Sequence, residues 1–208
     1  MKKILALLLA AALITLSTGC GVNDNSPINS IKKAEPSRGT INGDVYESEY
    51  LGLKFTKPES WIYSTDEDIA AMSGISAELL GEDFKALLDA NPAIFDMMAR
   101  DILSGTNINI SYENLTKSAS TNITEEQYVA ALKQQFANIP EITVDFPDKL
   151  QTLTLGENDY TKVITTTTMS GIEMTQVYYL NKIDNYMSCI IVTITGDEEI
   201  ADIEAMFE

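Results

Sequence analysis

Hydrophobic and polar residues divide the chain into three stretches with different patterns. Residues 4–16 form an almost unbroken apolar run that follows Lys2 and Lys3. Residues 21–44 are rich in Asn, Ser, Gly, Pro and charge and show no apolar period, whereas short alternating runs and helical stripes follow from Val45 onward. We therefore expect a signal peptide over residues 1–19, a flexible tether over residues 20–44 and one folded domain over residues 45–208.

The first half of the expected domain mixes strands and helices. Residues 45–48 and 52–56 predict two short strands around a tight turn, and Trp61, the only tryptophan, is expected to close an edge of the core. Thr65 and Asp68 have capping-box spacing and open a short helix. Ser76 is expected to cap a second helix, and Asn91-Pro92 predicts a third over residues 93–100.

The second half shows clearer periodicity. Residues 106–112 alternate as a half-buried strand does, and Thr124 opens a helix whose apolar stripe is Tyr128, Leu132 and Phe136. Four β-rich runs follow over residues 152–155, 160–168, 173–181 and 186–195, and their short gaps predict an antiparallel meander. The last run has apolar residues at both odd and even positions, so both faces of this strand are expected to be buried under other elements. Asp197 is expected to cap a closing helix that buries Ile200, Ile203 and Phe207.

This order of elements predicts an α+β fold in which helices sandwich an antiparallel β-sheet. Within it, residues 50–61 read Tyr-Leu-Gly-Leu-Lys-Phe-Thr-Lys-Pro-Glu-Ser-Trp. That stretch resembles the opening strand and Pro-x-x-Trp turn of PsbP-like domains found in clostridial-type lipoproteins. The resemblance implies a fold for residues 45–208 and no binding residue, because proteins that share an architecture often have unrelated functions.

Residues 16–20, Leu-Ser-Thr-Gly-Cys, resemble the lipobox of bacterial lipoproteins. In that family the thiol of the cysteine receives a diacylglycerol and the cysteine becomes the new N-terminus. The resemblance makes Cys20 the lipidation site and places the protein on the extracytoplasmic face of a cell membrane. Two alternatives stay open: ordinary signal cleavage that leaves Cys20 unmodified, and a membrane-spanning helix, although the apolar run is short of the usual length of about 20 residues.

Charge and composition exclude several classes of function. The chain carries a net charge of −17, which becomes −19 without residues 1–19 and argues against nucleic acid as a partner. It has no histidine, so Ser-His-Asp and Cys-His catalysis and imidazole zinc sites are excluded. Cys189 lies in an apolar run and is expected to be buried and inert. We expect a monomer with no disulfide, metal, cofactor or catalytic residue.

The remaining motifs have plain structural interpretations. Ser30 and Lys33 match a Ser-x-x-Lys motif but fall in the expected tether. The acidic clusters at residues 65–68, 156–159 and 197–199 suit helix caps and a hairpin turn. The leading hypothesis is thus a non-enzymatic binding or accessory module with an envelope protein as partner. The alternative is a small-molecule-binding lipoprotein with an apolar pocket between the sheet and the helices of residues 76–100, lined by Met72, Met97 and Met98.

Overall fold

The fold comes from a computed structural model, which describes residues 35–81, 83–118 and 121–208. The expected signal peptide, Cys20 and most of the expected tether lie outside these residues. The strands are β1 (Thr40–Asn42), β2 (Val45–Ser48), β3 (Leu53–Thr56), β4 (Trp61–Tyr63), β5 (Ala93–Asp101), β6 (Asn107–Asn114), β7 (Ile142–Asp145), β8 (Gln151–Leu155), β9 (Asn158–Met169), β10 (Ile172–Ile183) and β11 (Tyr186–Ile194). The helices are α1 (Asp66–Ser73), α2 (Phe84–Ala90), α3 (Leu115–Ser118), α4 (Glu125–Phe136) and α5 (Ile200–Glu204), with a 3-10 helix at Ala77–Gly81.

Eight of these strands form the main sheet, in the order β4-β5-β6-β11-β10-β9-β7, with β8 also paired to β9. All of its pairings are antiparallel. The predicted meander is confirmed, because β8, β9, β10 and β11 follow one another through short turns. The α+β class, with an antiparallel sheet between helical layers, is confirmed as well.

A second, smaller sheet has the order β1-β2-β3. Its third strand also pairs with residues 206–208: the Lys54 N–H donates to the Glu208 carbonyl oxygen (2.8 Å), and the Glu208 N–H donates to the Lys54 carbonyl oxygen (2.9 Å). Phe55 and Phe207 lie opposite each other at this contact. The predicted burial of Phe207 is confirmed, although it lies beyond α5 and packs against the small sheet.

The main sheet is covered on both faces. One core lies between it and a layer formed by the small sheet, α1 and α2, and the other lies between it and α4 with the segment that follows α4. Every residue of β11 is buried, with Ile190 and Val192 in the first core and Cys189 and Ile191 in the second. The expectation of cover on both faces of this strand is therefore confirmed.

Two of the predicted helix N-caps are confirmed. Thr65 and Thr124 each accept a hydrogen bond from the backbone N–H three residues on, and the side chains of Asp68 and Gln127 complete two capping boxes. The helix expected from Ser76 is instead a 3-10 helix followed by α2, whose cap is Asp83. Asp197 does not cap α5, because the N-cap position is taken by Glu199, which makes no capping hydrogen bond.

The helix predicted over residues 93–100 is wrong, since this segment is β5. Its residues from Ile94 to Ala99 are all buried, so the period of two that marks a strand is hidden. A bulge between Phe95 and Met97 shifts the register and disturbs the pattern further. Pairing with β4 and β6 on both sides overrides the helical propensity of the Ala and Met residues.

Part of the segment that was expected to be tether, residues 38–44, belongs to the folded domain. Residues 40–42 form β1, which pairs with β2, and Arg38 and Gly39 are bonded to the domain. The polar composition of this segment hid the strand, because all three residues of β1 are exposed and carry no apolar stripe.

Candidate functional site

One end of the main sheet brings together three segments that are far apart in sequence. They are the β5–β6 turn, the β9–β10 turn and the residues that follow β11. Residues 173–175 and 194–200 line an open cavity of about 490 Å³ at this end. Four carboxylates border it, and we call this surface the acidic pole: Glu173, Asp197, Glu198 and Glu199.

Glu198 is fixed in place by the neighbouring β5–β6 turn. Its Oε1 accepts a hydrogen bond from Ser104 Oγ (2.6 Å) and its Oε2 accepts one from Thr106 Oγ1 (3.0 Å). Gly196 permits this approach, because a Cβ there would lie 2.4 Å from Glu198 Oε2. Partial burial raises the pKa of Glu198, but the hydrogen bonds from Ser104, Thr106 and backbone N–H groups together outweigh it and hold the pKa below its usual range. This carboxylate is therefore ordered and charged at neutral pH.

The loop that follows β11 and contains Glu198 is tied to the β5–β6 turn by further hydrogen bonds. Thr195 Oγ1 donates to the Ser104 carbonyl oxygen (2.8 Å), and the Thr195 N–H donates to Thr106 Oγ1 (3.2 Å). The cavity wall is thus pre-formed on one side. A partner that binds there does not have to order this part of the wall first, which lowers the entropic cost of binding.

The described residues provide no ion pair that neutralises the acidic pole. Within the described part of the chain, the ion pairs of lysine and arginine lie elsewhere, and none involves Glu173, Asp197, Glu198 or Glu199. Glu173, Asp197 and Glu199 are exposed. Clustered carboxylates without counter-charges create a negative potential that attracts cationic groups.

Aliphatic side chains project into solvent at the same end of the sheet. Leu103 is 84% exposed and Ile102 is 51% exposed, both in the β5–β6 turn, and Ile172 is 46% exposed at the start of β10. The Leu103 N–H donates to Asp101 Oδ1 (2.9 Å), which fixes the turn that presents it. Exposed apolar side chains on a polar surface are typical of protein interaction sites.

The sequence singled out residues 197–199 but assigned them to a helix cap. What sequence reasoning missed is the pairing of Glu198 with Ser104 and Thr106, more than 90 residues away. No local pattern predicts such a contact. Ile102 and Leu103 could have indicated this surface, because they are two adjacent aliphatic residues that belong to no alternating strand pattern or helical stripe.

The pocket expected between the sheet and residues 76–100 does not have the predicted lining. Met97 and Met98 belong to β5 and are buried in the first core, and Met72 packs against the same core from α1. These side chains fill space between the layers. The cavity at the acidic pole lies elsewhere and is lined mainly by polar and acidic residues.

Cys189 is buried, as predicted. Its Sγ lies 3.7 Å from the hydroxyl of Tyr128, which donates to Glu113 Oε2 (2.5 Å). Burial, and to a smaller extent the nearby Glu113 carboxylate, raise the pKa of the Cys189 thiol to about 12. The thiol is therefore protonated at neutral pH and is a poor nucleophile.

Within the described ranges, no three Asp, Glu or Cys side chains are arranged to hold a metal ion. In those ranges there is also no helix with the length and apolar character needed to cross a bilayer. Cys20, the predicted lipidation site, lies outside them.

No protein-family model matches the sequence, and no curated protein matches it. Among solved structures, the fold is similar to the solution structure of cyanobacterial PsbP (CyanoP) from Synechocystis sp. PCC 6803, with a TM-score of 0.45 and 10% sequence identity. The match covers 88% of this chain and 99% of that chain. The match concerns the fold alone.

Proposed function

We propose that this protein is a lipid-anchored extracytoplasmic lipoprotein whose domain is a non-enzymatic binding module, and that the acidic pole binds a cationic segment of an envelope protein. The observation that carries the proposal is an open cavity, with one side of its wall pre-formed, that four carboxylates border without an ion pair to any lysine or arginine of the described residues; exposed Leu103 and Ile102 lie at the same end of the sheet. The anchor rests on the signal pattern of residues 1–19 and on Cys20.

The two kinds of side chain at the pole have different roles in binding. The carboxylates attract Lys and Arg side chains over a distance, which raises the association rate and makes it sensitive to salt. The aliphatic side chains contribute affinity by burial, at about 25 cal/mol for each Å² of apolar surface removed from water. A partner segment that alternates basic and aliphatic residues satisfies both.

The charge of the pole also argues for a protein partner and against direct contact with the membrane. Anionic lipid headgroups repel a surface with four uncompensated carboxylates. In the proposed arrangement the lipid on Cys20 holds the protein at the membrane, and the pole faces a partner. This division of roles needs no catalytic residue.

The test compares two charge-reversal variants with equal net charge. The first is Glu173→Lys with Glu199→Lys at the pole, and the control is Glu59→Lys with Glu78→Lys, two exposed carboxylates on other parts of the surface. Binding of a synthetic peptide built of lysine and leucine is measured by titration at several salt concentrations.

We expect the pole variant to weaken binding roughly tenfold or more, since each close charge reversal removes on the order of 1 kcal/mol. The control variant is expected to change binding only by its effect on net charge. Equal weakening in both variants contradicts the proposal, because it means that the peptide senses the overall charge and not this site.

A further inference from the structure

Strand β10 extends beyond its neighbour β11 at the end of the main sheet that carries the acidic pole. Residues 172–180 of β10 all pair with β9. On the other side of β10, the pairing with β11 begins only at Thr175, opposite Ile194. Within the described ranges, residues 172–174 therefore have a neighbouring strand on one side only.

The chain turns away from β10 where β11 ends. Thr195 and Glu198 are both hydrogen-bonded to the β5–β6 turn, which lies on the side of β11 opposite to β10. If β11 continued in register, Gly196 would lie opposite Glu173. Because the loop bends toward β6 instead, a space opens beside Glu173, and this space is the cavity of about 490 Å³ described above.

The backbone N–H and C=O groups of Glu173 point toward this cavity. A two-residue turn, Ser170-Gly171, joins β9 and β10, so Ile172 directs both of its backbone groups toward β9. The direction alternates along an antiparallel strand, so Glu173 directs its groups to the other side. The hairpin with β11 gives the same alternation, since Ile183 faces β11 and lies an even number of residues from Glu173. Among the described residues, no backbone hydrogen bond joins Glu173 to the loop after β11.

The side chains beside the cavity differ between the two faces of the sheet. Glu173 shares a face with Tyr179, which is buried in the first core. The helix α5 lies on that face too, because its Glu204 accepts a hydrogen bond from the Tyr179 hydroxyl (2.7 Å). The acidic loop after β11 leads into α5, so the carboxylates gather on this face. The opposite face carries Met174, which packs in the second core, and the half-exposed Ile172.

We propose that the acidic pole binds its cationic partner as an added β-strand: an extended segment pairs antiparallel with β10 at Glu173, in the position that β11 leaves open. This mode of binding rests on the role proposed above for the pole, and it specifies how the partner is held. When an extended peptide adds to an exposed sheet edge, main-chain hydrogen bonds give affinity and alternate side chains give specificity.

The register of this pairing sets the sequence that the partner needs. The residue opposite Glu173 lies on the same face of the sheet and is basic, because oppositely charged pairs directly across two strands are stabilising. Its two neighbours point to the other face, where Ile172 favours aliphatic side chains. The partner is therefore a segment in which basic and aliphatic residues alternate strictly. An amphipathic helix does not fit, because its like residues recur every three or four positions.

The test uses matched peptides and the full chain, solubilised in detergent. One peptide alternates lysine and leucine, and a second has the same composition with leucine at helical spacing. Two further versions of the alternating peptide carry N-methyl groups, either on the lysine amides or on the leucine amides. The peptide residue opposite Glu173 turns its N–H toward β10, so the lysine amides are the ones that the pairing uses.

We expect the alternating peptide to bind roughly tenfold or more tightly than the peptide with helical spacing. Methylation of the lysine amides is expected to weaken binding roughly tenfold, since it removes a hydrogen bond and places a methyl group against β10. Methylation of the leucine amides is the control and should change binding by less than about twofold, because those amides face away from β10.

Hydrogen exchange of single backbone amides gives a readout on the protein itself. The amide of Glu173 is expected to exchange rapidly in the free protein and roughly tenfold or more slowly in the complex with the alternating peptide. The amide of Ile172 is the internal control, because it faces β9 and keeps its exchange rate.

Strand pairing and binding at the pole can fail separately. Strand pairing is overturned if the two methylated peptides bind equally well, if the peptide with helical spacing binds as tightly, or if the Glu173 amide keeps its exchange rate in the complex. The pole remains the binding site in those cases as long as Glu173→Lys with Glu199→Lys weakens binding. If that charge reversal has no effect either, both proposals are wrong.

Discussion

Trp61 gives the sharpest test of how the edge of the main sheet is closed. It lies on β4, an edge strand of three residues, and is only 3% exposed. Its ring centroid is 6.4 Å from that of Phe55 on the small sheet. Trp61→Ala therefore removes a contact between the two sheets, and the free energy of unfolding is expected to fall.

The magnitude has two parts. Replacing a buried Trp or Phe by Ala costs about 3–5 kcal/mol in transfer and cavity terms. The aromatic contact with Phe55 is worth about 0.5–1.5 kcal/mol beyond burial, so we expect the upper half of that range. Since a domain of this kind is stable by about 5–15 kcal/mol in total, the loss is a large fraction of the whole.

The assay is urea denaturation followed by circular dichroism, because Trp61 is the only tryptophan and its fluorescence is lost in the variant. Ile62→Ala is the matched control: Ile62 is the next residue on β4, is 41% exposed, and should change stability by under about 1 kcal/mol. Ile191→Ala, buried in β11, is the core reference, at about 2–5 kcal/mol. The closure of the edge by Trp61 is refuted if Trp61→Ala lowers the free energy of unfolding by less than about 1 kcal/mol while Ile191→Ala lowers it by the expected amount. Trp61 then becomes the first candidate for a ligand contact.

Other expectations concern the anchor, the core and the pH dependence of stability. Cys20→Ala should abolish incorporation of labelled palmitate, and labelling that survives the change contradicts the anchor. A chelator or a reductant should leave the melting temperature unchanged, since the core is expected to hold the fold without metal or disulfide; a sharp drop overturns this. Asp96, with its pKa raised by burial to about 6, should make the protein less stable as pH rises from 4 to 6, and calorimetry of Asp96→Asn should lose that slope.

Sequence patterns predicted the parts of the fold in which the local signals, such as helix caps and turn residues, and the pattern of buried residues indicate the same element. Thr65 and Thr124 sit in front of helices and cap them, and the strands of the meander alternate or are bounded by turns such as Ser170-Gly171, where both residues have positive φ. In these places all the residues that determine the helix start or the turn lie within one short segment of the sequence.

The parts that failed depend on distant residues. β5 is buried on both faces between β4 and β6, so its pattern carries no strand period, and Asn91-Pro92 imitates a helix start. The acidic pole was invisible for the same reason, because Glu198 acquires its position from Ser104, which is 94 residues away in the chain. Residues 197–199 could be recognised as charged but not as part of a cavity.

The pairing of Lys54 with Glu208 has a consequence for the order of folding. It closes a loop of about 150 residues, and bringing the ends of such a loop together costs on the order of 4 kcal/mol of chain entropy. The small sheet can take up this last strand only after the main sheet has brought the two segments close. Until then Phe55 lacks the cover of Phe207, so a chain that has not yet made this pairing presents an uncovered aromatic surface to chaperones and proteases.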